Sequence, residues 1–479
     1  MSKQEELIIQ LQNRSASLEP DVKTRERLLE KVHKVTNDFL ESLDDGPAYV
    51  GNHEVIKLLE EPFEEGPSEE SRVFDLIKRA VDVPGINPAS GNHLGYIPGG
   101  GLFSSALGDY WADITNRYSG IFFADPGAVK IENELIRWVT KLVGFPDTSW
   151  GNLASGGSIA NLTAIVTARD AKKITPEKIE NAVIYVTNQT HHCIVKAIRI
   201  AGLGTCIIHK ISLDDKLRMS ATSFRDIVKK DIEEGRHPFM VVSSAGTTDS
   251  GVIDPFDKIS GICQEYDIWH HIDGAYGAFF LLVEPLKEKL LGLRNADSIV
   301  LDPHKSLFLP YGLGIVLIRS ADQMKSSFSY EANYMQDAVE LEDEISPADV
   351  SPELTKHFRG LRMWIPLKLH GLGAFRSALE EKHQLAIYFY EEISKIDGFE
   401  TYQKPELSVV MFRYADHPEK NEINKQIINQ IHQDGRVFLS STTIQNDIWL
   451  RVAILVFRTH LKTIQLTLSI LREFSTEIK

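Results

Sequence analysis

Leu301–Gly314 reads LDPHKSLFLPYGLG. It continues the apolar run Ser298-Ile299-Val300-Leu301, which has the content of a buried strand, and leaves through the turn formers Pro310, Gly312 and Gly314. Between strand and turn stand Asp302, Pro303, His304 and Lys305. A lysine where a strand runs out into a loop is easier to deprotonate if partly desolvated, and a neutral amine forms a Schiff base with an aldehyde. Taken alone, an exposed loop lysine is the ordinary reading, because charged side chains are seldom buried. Its neighbours change that.

HHIDGAYGAFF, His270–Phe280, lies upstream, with Asp273 32 residues before Lys305. Ile268-Trp269-His270-His271-Ile272 is a second strand-like run, Asp273 stands at its end, and Gly274, Ala275 and Gly277 follow. An acid at a strand's C-terminal end suits an open α/β sheet that places its ligand beyond the strand tips. Alone, Asp273 reads as a helix cap or turn residue. Together the two strand ends fit pyridoxal 5′-phosphate (PLP), which needs a Schiff-base lysine and an acid that keeps the pyridine nitrogen protonated. This spacing and context resemble the PLP-dependent group II amino-acid decarboxylases, the aromatic L-amino-acid decarboxylases in particular. The resemblance runs from about residue 20 to the C-terminus.

Composition is that of an ordinary soluble globular protein. The chain has 479 residues, 43% hydrophobic and 25% charged, enough for two or three domains. A net charge of −15 argues against nucleic acid or an anionic membrane as the main partner. Cys193, Cys206 and Cys263 form no CxxC pair, which fits a reducing cytoplasm. No apolar run reaches the roughly 18 residues of a membrane span, and Met1–Pro20 lacks the pattern of a signal peptide. The expected location is cytoplasmic. His191-His192 lacks the spacing and companions of a metal site, so no metal is expected.

The resemblance implies an α/β fold of the PLP-dependent transferase type I, the aspartate aminotransferase-like architecture. Its large domain would carry a mixed, mostly parallel sheet, followed by a small C-terminal α+β domain. The expected divisions are an N-terminal helical segment 1–80, a PLP-binding domain 81–365 and a small domain 366–479. In the first, Asp21–Leu43 has its apolar residues at helical spacing, and Glu54–Leu59 and Ser71–Val81 look helical too. In the family this segment packs on a second subunit, so a homodimer with active sites at the interface is expected. Toward the C-terminus the pattern gives strands Ser408–Arg413, Val437–Ser441 and Ile448–Ile454, and helices Asn421–His432 and Leu461–Phe474.

Leu153–Thr163, LASGGSIANLT, puts Gly156, Gly157 and Ser158 just before a helix, where N–H groups and the helix dipole meet a phosphate. At this position they match the family's phosphate cup. By the same resemblance, His191 stacks on the pyridine ring, Thr248 and Ala275 adjoin it, Ser298 lies near the phosphate, and His304 contacts phosphate and the linkage to Lys305. Asp302 stands where the aromatic decarboxylases usually carry Asn; a carboxylate there would point away from the phosphate or pair with a cation. Tyr96 and Ile97 correspond to one wall of the substrate pocket. Gly120 stands in a loop lining the neighbouring subunit's pocket, where a bulky ring is usual, and opens room. Ser320–Ser351 shows no regular pattern, as a long lid or disordered segment would; within it Tyr334, 29 residues beyond Lys305, matches the family's tyrosine that delivers a proton after CO₂ leaves, with Tyr330 as a second candidate.

The expected reaction is PLP-dependent decarboxylation of an L-amino acid, aromatic by its loops, through a Lys305 Schiff base, giving the amine and CO₂. Decarboxylation of an acidic amino acid (glutamate, aspartate or cysteine sulfinate), aldehyde-forming decarboxylation–deamination and a silent PLP-fold scaffold are the alternatives.

Overall fold

The computed structural model describes every residue except His53, 330–343 and Lys479. It divides into two compact units, Met1–Asn87 and Pro88–Lys479. The first holds helices Lys3–Ser15, Val22–Glu41 and Glu70–Ile77 and a short antiparallel pair, Tyr49–Val50 with Gly85–Ile86. Asp21 starts the second helix as the sequence suggests, its carboxylate accepting the Thr24 N–H at 2.8 Å. Glu54–Leu59 is a 3₁₀ turn and not an α-helix. Neither Lys3–Ser15 nor Val22–Glu41 buries a single side chain.

The second unit is built on seven strands: β1 Trp150–Ala154, β2 Ala182–Val186, β3 Ile207–Lys210, β4 His237–Ser244, β5 Trp269–Asp273, β6 Ser298–Leu301 and β7 Gly314–Ile318. Their spatial order is β1-β7-β6-β5-β4-β2-β3, and only β7 runs against its neighbours. Runs such as SIVL in β6 and GIVLI in β7 are buried throughout because helices cover both faces of such a sheet. Since β7 alone is reversed, the ends of β1, β2, β4, β5 and β6 and the start of β7 share one edge: Ala154 pairs with Gly314, and Leu301 with Ile315. That edge carries the site.

A smaller antiparallel sheet follows, from β8 Phe399–Thr401, β9 Val409–Tyr414, β10 Ser440–Ile444 and β11 Asp447–Ala453, in the order β8-β9-β11-β10. With helices Lys420–Asp434 and Leu461–Ile478 it encloses a second core around Phe389, Phe412 and Leu450. The architecture is the expected α/β fold with a small C-terminal α+β part. Two local expectations change. The strand read at Val437–Ser441 begins at Ser440, because Phe438 pairs with the loop at His93 and its carbonyl accepts the Leu94 N–H at 2.8 Å. Within the stretch read as irregular, Ala321–Phe328 is helical, started by the Ser320 hydroxyl at the Gln323 N–H. Ser320-x-x-Gln323 is the pattern of a helix start and was legible as one.

Candidate active site

β1 turns through Ser155 and Gly156 into helix α1, Gly157–Ala171. Gly156 adopts φ +154°, and no side chain caps the helix, so the N–H groups of its first turn are left for a ligand. A Cβ at Gly157 would lie 2.7 Å from Asp302 Oδ2, and one at Gly314 2.5 Å from the Gly156 carbonyl carbon. The turn is therefore packed so closely that side chains there are excluded. Gly156, Gly157 and Ser158 form one end of a cavity of about 350 Å³.

The other strand ends supply the remaining walls. Beyond β2, His191 caps helix α2, His192–Ile200, its Nδ1 accepting the Cys193 N–H at 3.3 Å. Nδ1 being an acceptor, a neutral His191 carries its proton on Nε2. Burial lowers its pKa, against the pull of Asp273, and favours that neutral ring. Thr248 follows β4, and Asp273 closes β5 with one oxygen accepting the Ala275 N–H at 3.1 Å. Helix α3, Pro303–Ser306, is only four residues long, yet it aims His304 and Lys305 into the cavity. His304 Nδ1 donates to the Leu313 carbonyl at 2.5 Å, turning Nε2 toward Asp302 Oδ2 at 3.5 Å.

Lys305 Nζ lies 3.2 Å from Asp302 Oδ2, with the lysine side chain a quarter exposed and Asp302 almost wholly buried. Burial alone would depress the amine, as the sequence led us to expect, but the carboxylates of Asp302 and Asp273 outweigh it and raise its pKa. With these neighbours Lys305 is an ammonium. Asp302 thus does pair with a cation, while its second oxygen, Oδ1, is buried with no partner.

A chain of hydrogen bonds reaches Asp273 from behind. Trp269 Nε1 lies 2.8 Å from Ser298 Oγ, Ser298 Oγ 2.8 Å from His271 Nδ1, and His271 Nε2 2.7 Å from Asn161 Oδ1. Asn161 Nδ2 is 3.4 Å from Asp273 Oδ2. The indole can only donate and the carboxylate only accepts, so every link points toward Asp273. An inverted Asn161 amide would set its oxygen against the carboxylate. Burial pushes His271 down to about 4, leaving it neutral, with its single proton on Nε2.

Ser298 is therefore not beside the Gly156–Ser158 turn, as expected, but three links behind Asp273, at the far end of β6. Tyr96, Ile97 and Gly120 also lie outside the cavity walls. Tyr96 is half-exposed and packs near the Phe438 ring, 5.8 Å away, and Ile97 belongs to the core. Gly120 opens no room within the subunit: a Cβ there would meet the Leu354 carbonyl at 2.6 Å and the Tyr118 hydroxyl at 2.8 Å. Tyr334 lies outside the described residues. Asn161 and His271 were not singled out from sequence. Periodicity could have found them: Asn161 is four residues from Gly157 along α1, and His271 shares a face of β5 with Asp273. Among the described residues no group of side chains could hold a metal ion.

A bare helix N-terminus for a phosphate, a lysine for an aldehyde and a buttressed acid for a ring nitrogen, around one cavity, fit PLP. Residues 53–415 match the family model described as the pyridoxal-dependent decarboxylase conserved domain. An aromatic-L-amino-acid decarboxylase of Bacillus atrophaeus is 34% identical over 400 residues, 82% of this chain and 83% of that protein. A 4-hydroxyphenylacetaldehyde synthase of Rhodiola rosea is 24% identical over 404 residues, 81% of each. The crystal structure of Oryza sativa TDC with PLP and tryptamine superposes with a TM-score of 0.90 at 20% identity, over 96% of this chain and 99% of that one. The chain belongs to the pyridoxal-dependent decarboxylases and is, with them, a PLP-dependent carboxy-lyase.

Proposed function

We propose that the substrate is an L-aromatic amino acid, converted to its amine and CO₂. The observation that carries this reading is the cavity's charge: among the described residues lining it, Lys305 is the one lysine and there is no arginine. An acidic side chain would find no second cation, whereas an aromatic ring needs none. The Bacillus atrophaeus relative's name points the same way.

Lys305 would hold the cofactor through Nζ. Gly156, Gly157 and Ser158 bind the phosphate with the α1 N-terminus, His304 beside them. Bound PLP supplies a sink for the electron pair left when CO₂ departs. Asp273 would keep the ring nitrogen protonated, and Ala275, Thr248 and the neutral His191 ring, which line the same cavity, would hold the ring there. Tyr334 delivers the proton to the carbon that lost CO₂, favouring amine over aldehyde.

The active assembly is a homodimer in the cytoplasm, with Tyr96, Ile97 and Gly120 completing the pocket at the interface. Helix Phe103–Thr115 supports this, for Phe103, Leu107, Tyr110, Trp111 and Ile114 stand exposed on one face. All three cysteines are free, as a reducing compartment requires. The test is product analysis of PLP-loaded protein with a panel of L-amino acids. Amine and CO₂ from Tyr, Trp or dopa are expected. Turnover of glutamate or aspartate instead would overturn the substrate class, and aldehyde with peroxide the role of Tyr334.

A further inference from the structure

Asp302 is an unexpected neighbour for a phosphate. It is 2% exposed, it forms the floor under Gly157, and its Oδ1 has no hydrogen-bond partner. In this structure one cation balances it at close range, Lys305 at 3.2 Å. That nitrogen is the one the cofactor's aldehyde claims. Loading the site therefore takes away the partner of Asp302 and brings a phosphate ester, carrying about −1.5 to −2 charges at pH 7, to the turn above it.

Among the described residues the surroundings offer no replacement. From its own helix α3 Asp302 faces Lys305 and His304, and burial lowers the His304 pKa so that its ring is neutral. From α2 it faces His191, lowered by burial, and the Cys193 thiol, which burial pushes up to about 12. β5 contributes Asp273, a further negative charge, and Arg362 reaches this corner only through its field on His304. The packed backbone of α1 and β7 presents Gly157 and Gly314, which carry no charge. Two acids held together in a buried site share a proton, because both cannot be ionised.

We propose that Asp302 binds the cofactor phosphate as a carboxylic acid, taking up one proton as the phosphate enters. Cofactor capture is then proton-coupled: one hydrogen bond from Asp302 to phosphate replaces its ion pair with Lys305, and the proton Asp302 takes up offsets the one Lys305 gives up when its nitrogen joins the aldehyde, so PLP affinity gains less from rising pH than pyridoxal affinity does. This rests on the reading of Gly156–Ser158 as the phosphate turn.

The test is calorimetric titration of the apo protein with PLP, and separately with pyridoxal, in PIPES and in imidazole. The two buffers' different ionisation enthalpies count the protons taken up. A parallel absorbance titration gives the dissociation constant from pH 7 to 9. Wild type is expected to take up one more proton with PLP than with pyridoxal, and Asp302→Asn to show no such difference. Relative to Asp302→Asn, the wild-type PLP dissociation constant should climb about tenfold per pH unit, the linkage slope of one proton. Equal proton counts for PLP and pyridoxal, with PLP still the much tighter ligand, would overturn the role of Asp302 and leave the phosphate turn standing. Equal affinity for PLP and pyridoxal would overturn the phosphate turn and the proposal with it. Should Asp302→Asn not fold, the wild-type comparison decides alone.

Discussion

The cofactor edge of the large sheet and the loops around Tyr96 and Gly120 present opposite kinds of order. At the edge, five strand ends bring residues from Ser155 to Lys305 around one cavity, backed by a hydrogen-bond chain ending on Asp273. In the loops, residues expected to shape the substrate pocket lie outside that cavity, and the space at Gly120 is already filled by Tyr118. The cofactor's chemistry is built by the sheet of one chain. In the dimer proposed above, the choice of substrate would fall to these loops, with a second subunit completing their surroundings.

The strongest way to break the first half of this contrast is Lys305→Ala. Turnover should be lost outright, together with the absorbance of the cofactor–lysine linkage. Near-normal turnover would remove the central assignment. Asp273→Asn keeps the shape and loses the charge, and should cost about a hundredfold or more in kcat, the scale of a lost electrostatic partner at a reacting centre. An unchanged rate would mean that another group holds the ring nitrogen's proton.

A sharper probe lies behind Asp273. Asn161→Leu removes the donor to Asp273 and strands the His271 Nε2–H, so kcat should fall about tenfold, the order of a buried hydrogen bond left unmade. Ser298→Ala cuts the chain two links further back and should cost less. Both should shift the pH dependence of the bound cofactor's absorbance in the same order. Lower stability with an unmoved absorbance profile would make these residues packing elements only.

How much of this was legible in the sequence follows from the same contrast. Strand ends were readable because a buried parallel strand is a short apolar run, and whatever polar residue stops the run stands at the functional edge: Asp273, Asp302 and Lys305 all declare themselves so. The uncapped helix start proposed for the phosphate was readable because Gly156-Gly157-Ser158 precedes a helix. Ser298 was placed wrongly because a resemblance transfers proximity to a motif, whereas strand geometry sets distance: three residues back along β6 is about 10 Å away from the edge. The elevated Lys305 pKa was missed because it depends on where Asp302 folds back, one helical turn before it, and no residue count reveals which of burial and ion pairing prevails. At Gly120 the absent side chain suggested space, but a neighbouring ring can fill what a glycine leaves, and only packing tells.

The smallest expected effect tests the other half of the contrast. Tyr96 adopts φ +53°, unusual for a residue with a bulky side chain, and leaves more than half of its surface exposed beside Phe438 and His93. A side chain held this way for the fold alone would be poorly used, since burial is what an aromatic ring contributes. If Tyr96 walls the pocket of the dimer, Tyr96→Ala should raise KM for an aromatic substrate by about two- to tenfold, the worth of one aromatic contact, with kcat little changed. The same variant should leave PLP affinity alone, because the residues proposed to hold the cofactor lie on the sheet edge. An unchanged KM with a lowered Tm would return Tyr96 to the fold, and the determinants of substrate choice would have to be sought among the cavity's own walls.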